Sequence, residues 1–404
     1  MLTFRHTEIM PLVCQFPIGL LPLVFGGDER LKLVVKAPKE AILAAKINGG
    51  FKVYAIPVLL QQKRSIGLIS AFFDDADAPL VTYSPLFAEP GSELLRKLLL
   101  CGAADVHVFD ENNRELLGYA ADFQCPAATR GLIQGANLLS FDYELAISSI
   151  HQMGTWFGLR STQDDRAAIS VAFTEPLFAE DLFIQDMRPE NHSYHGSKPF
   201  SYSVLERQEP GPFQERDIVQ MLHRIFSPEQ IYHGPLRATD QEEIADILVV
   251  TESHALFVQA KDSPNTEKVL QNSLKRKKAT AKKNLDKAIG QVRGAVRYAK
   301  TSTPMKILID GTEKAVTLDG LEIRSLIVLK ELFEDQYPSY SEAIFSLVER
   351  TKVPCIALDY MELHMFTTHL ENADAFFRAC DHVFADGAET GVFRRAMIKP
   401  SFVG

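Results

Sequence analysis

Two short apolar runs on either side of a tight polar turn constrain this chain of 404 residues more than any other feature. The runs are Asp246 to Thr251 and Ala255-Leu-Phe-Val-Gln-Ala-Lys261. Runs this rich in Val, Ile and Phe, joined by Glu252 and Ser253, read as a β-hairpin. Side chains alternate along a strand, so Phe257, Gln259 and Lys261 share one face while Leu256, Val258 and Ala260 share the other. With Glu252 and Ser253 as the turn, Thr251 opposes His254 and, counting outward, Asp246 lands opposite Gln259; a four-residue loop from Thr251 to His254 gives the same register. Directly opposed Cβ atoms lie about 4.5 to 5.5 Å apart. An acid, an amide and an ammonium group therefore converge at the end of an apolar strand pair, which is costly unless they meet partners. Two readings stay open here: a solvated strand end with an Asp–Lys ion pair, or a site for a divalent ion and a water.

The surrounding segments alternate in type. Phe213 to Phe226 reads as a helix, and Gln271 to Lys300 as a long one. Strands follow at Met305 to Ile309 and Glu322 to Leu329, then a helix at Ser339 to Arg350, a strand at Pro354 to Leu358, and helices at Met361 to Leu370 and Ala373 to Phe384. Helices interleaved with strands predict an α/β layer structure with a mixed central sheet. In the first helix, Glu215 lies three residues before Ile218 and seven before Leu222, on the apolar stripe. An acid aimed inward needs a positive partner or a metal; its other role is an N-terminal charge favoured by the helix dipole.

In the long helix, Leu285, Ala288, Ile289, Val292, Val296 and Ala299 form the buried stripe, with Gln291 and Tyr298 along its flank. Lys275, Arg276, Lys277, Lys278, Lys282, Lys283 and Lys287 cannot all be core. They are either solvated surface or, because the helix begins just after Lys261, a basic flank to the site where a phosphate backbone would bind. Glu242 and Glu243, just before the first strand, read as exposed acids.

The first half is expected to be a β-rich α+β domain, with strands at Phe51 to Leu60, Ser65 to Phe73, Ala104 to Phe109 and Ala167 to Phe173 and helices at Ser92 to Leu100 and Tyr143 to Met153. It shows no internal repeat, glycine-rich phosphate loop or Cys/His cluster, and no Ser/His/Asp or Cys/His arrangement there supports a hydrolase. Asp186 to Pro212, with Pro189, Gly196, Pro199, Pro210 and Gly211, reads as a linker. His192 and His195 in it are read as exposed loop histidines rather than metal ligands. The expected division is residues 1–185, a linker at 186–211, and residues 212–404.

With 46% hydrophobic residues the chain can bury a large core, and its formal net charge of −9 excludes a protein that is basic throughout. The five cysteines form no CxxC pair, which favours reduced thiols in a cytoplasm. The apolar start from Met10 to Phe25 is preceded by Glu8 and interrupted by Pro11, Pro17 and Pro22, so it is expected to be a buried strand or loop. No run approaches the roughly 20 apolar residues of a membrane helix.

The order helix with Glu215, strand with Asp246, strand with Gln259-Ala-Lys261, then helix with Gln291 resembles the PD-(D/E)xK, or restriction-endonuclease-like, nuclease superfamily. The Gln-x-Lys variant is most similar to Mrr-type restriction enzymes. The resemblance covers roughly residues 210 to 370 and implies that fold for the C-terminal half, with a metal-dependent nuclease acting on DNA in preference to RNA and pairing as a homodimer. It implies that Asp246 ligates Mg²⁺ or Mn²⁺, that the Ala260 carbonyl completes the site, and that Lys261 orients or helps deprotonate a water. Glu215 matches a helix glutamate used as a further ligand, and Gln291 a glutamine of the following helix. Glu243 and Tyr298 are supporting residues. The chain departs at Gln259, where most relatives carry Glu or Asp, and Ala245 replaces the usual proline. Either Glu215 and Glu243 compensate, or the chain is a non-catalytic nucleic-acid-binding or assembly protein that keeps the nuclease fold.

Overall fold

The computed structural model describes residues 1–16, 18–26, 30–179, 182, 192–198 and 205–396. The chain divides into two units. One contains Met1–Leu182 together with Leu205, Glu206 and Asn265–Asn272, and the other contains Arg207–Pro264 and the chain from Ser273 onward.

The first unit is built on an eight-stranded sheet. Its strands are β1 (Gly19–Leu23), β2 (Lys32–Lys36), β3 (Gly50–Leu60), β4 (Lys63–Phe72), β5 (Leu80–Pro85), β6 (Ala103–Phe109), β7 (Glu115–Gln124) and β8 (Ile169–Pro176), in the order β1-β2-β6-β7-β8-β3-β4-β5. All neighbours are antiparallel except β2 and β6. Leu60 pairs with Lys63, leaving Gln61 and Gln62 as a two-residue turn with φ of 48° and 61°, the twist that suits a hairpin. At Gly50 a Cβ would meet the Val171 carbonyl oxygen at 2.0 Å, so only glycine lets β3 and β8 approach there. The helices are α1 (Leu2–Arg5), α2 (Met10–Gln15), α3 (Lys39–Ile47), α4 (Pro90–Leu100), α5 (Ala127–Gly135), α6 (Tyr143–Gly158) and α7 (Thr162–Ala167). The short α9 (Glu267–Leu270) also belongs to this unit and buries Leu270 in its core with Ala41, Ile42 and Leu99.

The second unit carries a five-stranded mixed sheet in the order β16-β15-β12-β11-β9, from β9 (Ile231–His233), β11 (Ile247–Val250), β12 (His254–Lys261), β15 (Glu322–Leu329) and β16 (Cys355–Asp359). β12, β15 and β16 run parallel, while β11 is antiparallel to both its neighbours. Parallel neighbours need long connections, which here contain α10 (Leu274–Thr301) and α11 (Tyr337–Thr351). A small sheet joins β10 (Leu236–Arg237), which precedes β11, to β13 (Met305–Ile309) and β14 (Thr312–Val316), which lie between α10 and α11 in sequence. α8 (Gly211–Leu222) precedes the sheet, and α12 (Tyr360–His369) and α13 (Ala373–Thr390) follow it. The apolar residues of α10 fall three and four apart: Leu285, Ala288, Val292 and Val296 pack into one core, Ala295 and Ala299 into a second.

The mixed α/β architecture follows the interleaving of strands and helices, and the expected elements of this half are present. Three expectations need correction. Met10 to Phe25 is not one strand or loop: Pro11 sits in the first turn of α2, where its missing N–H costs nothing, and the chain then turns extended into β1; Pro17 lies outside the described residues. Within the stretch 186–211, the described histidines are not exposed loop residues. Pro189 and Pro199 lie outside the described residues, but His195 forms a bridge with Tyr232 and stacks on its ring at 4.4 Å, and His192 and His195 are half-buried. The region 212–404 is not contiguous as a unit, because Asn265–Asn272 packs in the first one, where Asn265 Nδ2 donates to the Leu205 carbonyl. Among the described residues no helix is long and apolar enough to cross a membrane.

Candidate active site

The turn joining β11 and β12 is Glu252-Ser253. Thr251 N donates to the His254 carbonyl at 2.9 Å, and the Thr251 hydroxyl accepts from His254 N at 2.9 Å. Val250 pairs with Ala255 and Ile247 with Val258, so Asp246, one residue further out, stands opposite Gln259. That is the register counted from the sequence. Leu256, Val258 and Ala260 join the core with Ile218 and Leu222 of α8. Phe257 and Leu248 pack instead against Ala295 and Ala299 of α10. Gln259, Lys261 and Asp246 therefore belong to the α10 side of the sheet.

Asp246 is 2% exposed. Its Oδ2 accepts from Ala260 N at 2.5 Å and from Lys261 Nζ at 3.1 Å. The same ammonium donates to the Ala260 carbonyl at 2.7 Å. Burial pushes the Asp246 carboxyl up, Lys261 and the Ala260 N–H pull it back, and Glu215 adds to the rise. Gln259, 1% exposed, reaches the Ile244 carbonyl at 3.5 Å through Nε2, and its Oε1 is buried with no hydrogen-bond partner. An orphaned amide oxygen of this kind carries a desolvation cost of about 1–3 kcal/mol.

Glu243 was expected to be an ordinary surface acid. As a residue it is exposed, yet desolvation of its carboxyl and the nearby charges of Asp246 and Glu215 push it up to about 7, with Lys261 opposing. Glu215 meets a polar partner: its Oε2 lies 2.9 Å from His233 Nε2. His233 pairs with Ile247, whose side chain belongs to the α8 side, so Glu215 approaches the rim of the site from the opposite face of the sheet. Sequence reasoning missed His233 because its strand is three residues long and ends at Gly234, with no periodicity to read. Gly234 N closes the edge by donating to the Asp246 carbonyl at 2.9 Å.

The basic helix does not follow directly from Lys261, since the chain first enters the other unit. What sets the start of α10 at this edge is the loop after β15. Lys278 pairs with Asp335 at 2.7 Å, with its ammonium 5.8 Å from the Phe333 ring centroid. Lys282 donates to the Ser339 carbonyl at 3.2 Å and lies 3.1 Å from Asp286. Lys278 and Lys282, expected to bind a phosphate backbone, are thus engaged within the fold. Lys275, Arg276 and Lys283 are exposed, and Lys277 is half-buried. Gln291 lies one turn before Ala295, on the flank of α10 that faces Phe257, and its Oε1 is buried without a partner. The Tyr298 hydroxyl donates to the Lys306 carbonyl at 2.7 Å and holds α10 to β13.

Among the described residues no three His, Cys, Asp or Glu side chains stand together as a ready ligand group. The oxygens at the end of β12 nevertheless suit a hard cation: the Asp246 carboxylate, the Ala260 carbonyl and the unpartnered Gln259 Oε1. The Lys261 ammonium bridges two of them, so a positive charge already occupies the place where they converge. Neither a protein-family model nor a curated protein matches this chain.

Proposed function

We propose that the second unit is a restriction-endonuclease-like, metal-dependent nuclease that hydrolyses phosphodiester bonds in DNA. The observation that carries the reading is the register placing Asp246, Gln259 and Lys261 on one face at the end of β12, with the Lys261 ammonium bridging the Asp246 carboxylate and the Ala260 carbonyl. The mixed sheet, antiparallel through β11 and β12 and parallel from β12 to β15, supports the same fold.

Asp246, the Ala260 carbonyl and Gln259 Oε1 would hold Mg²⁺ or Mn²⁺, with Glu243 supplying the negative charge that an amide at position 259 does not. Such an ion, when bound, stabilises charge on the scissile phosphate and acidifies a coordinated water. The protein's own groups do the positioning. Ala260 N fixes the Asp246 carboxylate, and Lys261, once released from it, holds a water or a phosphate oxygen on the same face. Gln291, one turn before Ala295 on α10, carries a further buried amide oxygen without a partner. Five free thiols support a cytoplasmic setting.

The test is cleavage of supercoiled and linear duplex DNA in the presence of Mg²⁺ or Mn²⁺, with Asp246→Asn and Lys261→Ala as variants. Cleavage that needs the metal and is lost in both variants is expected; cleavage equal in all three proteins refutes the assignment. One observation favours a second reading, a binding module without catalysis: Gln259 is neutral and Lys261 is closed onto Asp246. Calorimetry with Mn²⁺ decides between them, since the binding module takes up DNA but no ion.

A further inference from the structure

The 28 residues of α10 hold ten of the chain's 43 Lys and Arg residues and only one of its 52 acids. In a protein of net charge −9 that concentration is unusual, and its layout along the helix is specific. Lys275, Arg276, Lys283, Lys287, Arg293 and Arg297 are exposed, and none of them meets an acid among the described residues. At 100° per residue all six fall within an arc of about 120°. The single acid in that arc, Asp286, lies 3.1 Å from Lys282 and is neutralised by it. Small residues, Ala279, Gly290 and Gly294, also lie in the arc; a Cβ added at Gly290 would meet nothing within 4 Å, and one at Gly294 would come 4.0 Å from the Arg237 guanidinium. The cations are therefore interspersed with small residues along one face of the helix. From Arg276 to Arg297 it extends about 31 Å, close to the roughly 34 Å of one duplex turn.

We infer that the outer face of α10 is a binding track for the phosphate backbone of a duplex nucleic acid, with Lys283, Lys287, Arg293 and Arg297 as its principal contacts. This deepens the nuclease reading and rests on it for the choice of partner. It also redraws the surface read from the sequence: Lys278 is paired with Asp335 and Lys282 with Asp286, and the track continues to the other end of the helix, well beyond the lysine-rich start. A regular polyanion matches a row of unpaired cations over this length, whereas a small anion would engage one or two of them. Contacts of this type give affinity without sequence preference and release counterions on binding.

The test measures binding of a fluorescein-labelled 20-base-pair duplex by anisotropy, in EDTA, across a series of salt concentrations. K283E/K287E and R293E/R297E are compared with the unaltered protein, with circular dichroism as a check on folding. Each pair is expected to weaken binding about tenfold or more near 0.1 M salt. With all four changed, the slope of log affinity against log salt should fall by about 3 to 4, at roughly 0.9 for each phosphate no longer neutralised. The R293E/R297E pair carries the most weight, because it lies at the end of α10 remote from Lys261. Unchanged affinity and slope in both pairs overturn the proposal. So does loss of binding only to phosphatidylserine vesicles, which would make the ridge a membrane-surface contact. D246N separates this proposal from the nuclease reading: it should bind the duplex like the unaltered protein and fail to cut. Ridge-dependent binding with no metal-dependent cleavage would leave the track standing and the nuclease reading refuted.

Discussion

Asp246 and Asp359 stand at the same end of one five-stranded sheet, and they do opposite things. Each is 2% exposed, and burial pushes each carboxyl up. Lys261 pairs with Leu329 and Leu329 with Asp359, so Asp359 lies in the same row of the sheet as the lysine that binds Asp246. The partners differ. Asp359 caps α12, accepting from Glu362 N at 2.9 Å while Glu362 accepts from Asp359 N at 2.8 Å. Its other oxygen takes Arg395 at 2.5 Å, and Glu362 also takes Ala396 N at 2.7 Å. Those oxygens fasten backbone and the chain end. Around Asp246 the neighbours are two further acids, one ammonium, and Gln259, whose buried amide oxygen has no partner. The Asp359 and Glu362 oxygens are taken up by backbone and Arg395, although the Tyr337 hydroxyl beside them is also unpartnered; at Asp246 the unpartnered oxygen is the Gln259 amide, which is what the proposed metal site would use.

The largest effect that would break this contrast is on catalysis. Asp246→Asn and Lys261→Ala are expected to lower metal-dependent cleavage by roughly a thousandfold or more, since a bound ion contributes several kcal/mol of charge stabilisation. Asp246→Asn removes a charge that burial and Glu215 already disfavour while keeping an oxygen for Ala260 N. Urea unfolding of that variant should therefore match the unaltered protein within about 1 kcal/mol. A steep loss of stability would mean that Asp246 is structural after all.

The mirror experiment is Asp359→Ala. It deletes a helix cap and leaves a buried N–H without an acceptor, for a loss of about 2–4 kcal/mol. Cleavage per folded molecule should be unchanged, and a selective loss of activity would move Asp359 into the active site.

How much of this was legible in the sequence follows from where the information lies. The hairpin register was readable because period-2 alternation and a two-residue turn leave one way to pair Asp246 with Gln259. The long helix was readable from the spacing of Leu285, Ala288, Val292 and Val296. His233 was not, because its strand is too short to have a period, and neither was the rise in the Glu243 carboxyl, which depends on Asp246 and Glu215 meeting it in space. The departure of Asn265–Asn272 to the other unit was also hidden. Nothing in the sequence around Leu270 says which core it enters, and only packing decides between them.

Acidity sharpens the contrast further. Glu362 is pushed up to about 8 by burial and by Asp359. A carboxyl whose folded value is raised stabilises the fold fully below its unfolded pKa of about 4.5. That contribution is lost as pH rises from there through about 8. Unfolding free energies at pH 5, 7 and 8.5 should therefore decline for the unaltered protein and decline less for Glu362→Gln. Desolvation and the charges of Asp246 and Glu215 push Glu243 up to about 7, and in the proposed metal site the consequence would fall on ligand binding. Mn²⁺ affinity should strengthen as pH climbs through about 7, and Glu243→Gln should flatten that rise in calorimetric titrations.

The smallest expected effect tests whether the two aspartates' neighbourhoods are independent along the edge between them. β15 separates β12 from β16, and the loop after it presents Phe333 and Asp335 to Lys278. The Asp335 carboxylate is 57% exposed, and exposed ion pairs contribute little to stability. Lys278→Ala should accordingly leave Tm unchanged within error and barely alter duplex affinity, because its ammonium is already committed to Asp335. Asp335→Asn should do the reverse: by releasing that ammonium it should tighten duplex binding a little and steepen the salt dependence by about one phosphate contact. Neither change should touch cleavage at saturating duplex. If Asp335→Asn altered the cleavage rate itself, the loop after β15 would be part of the active site and the boundary drawn between the two aspartates would have to move.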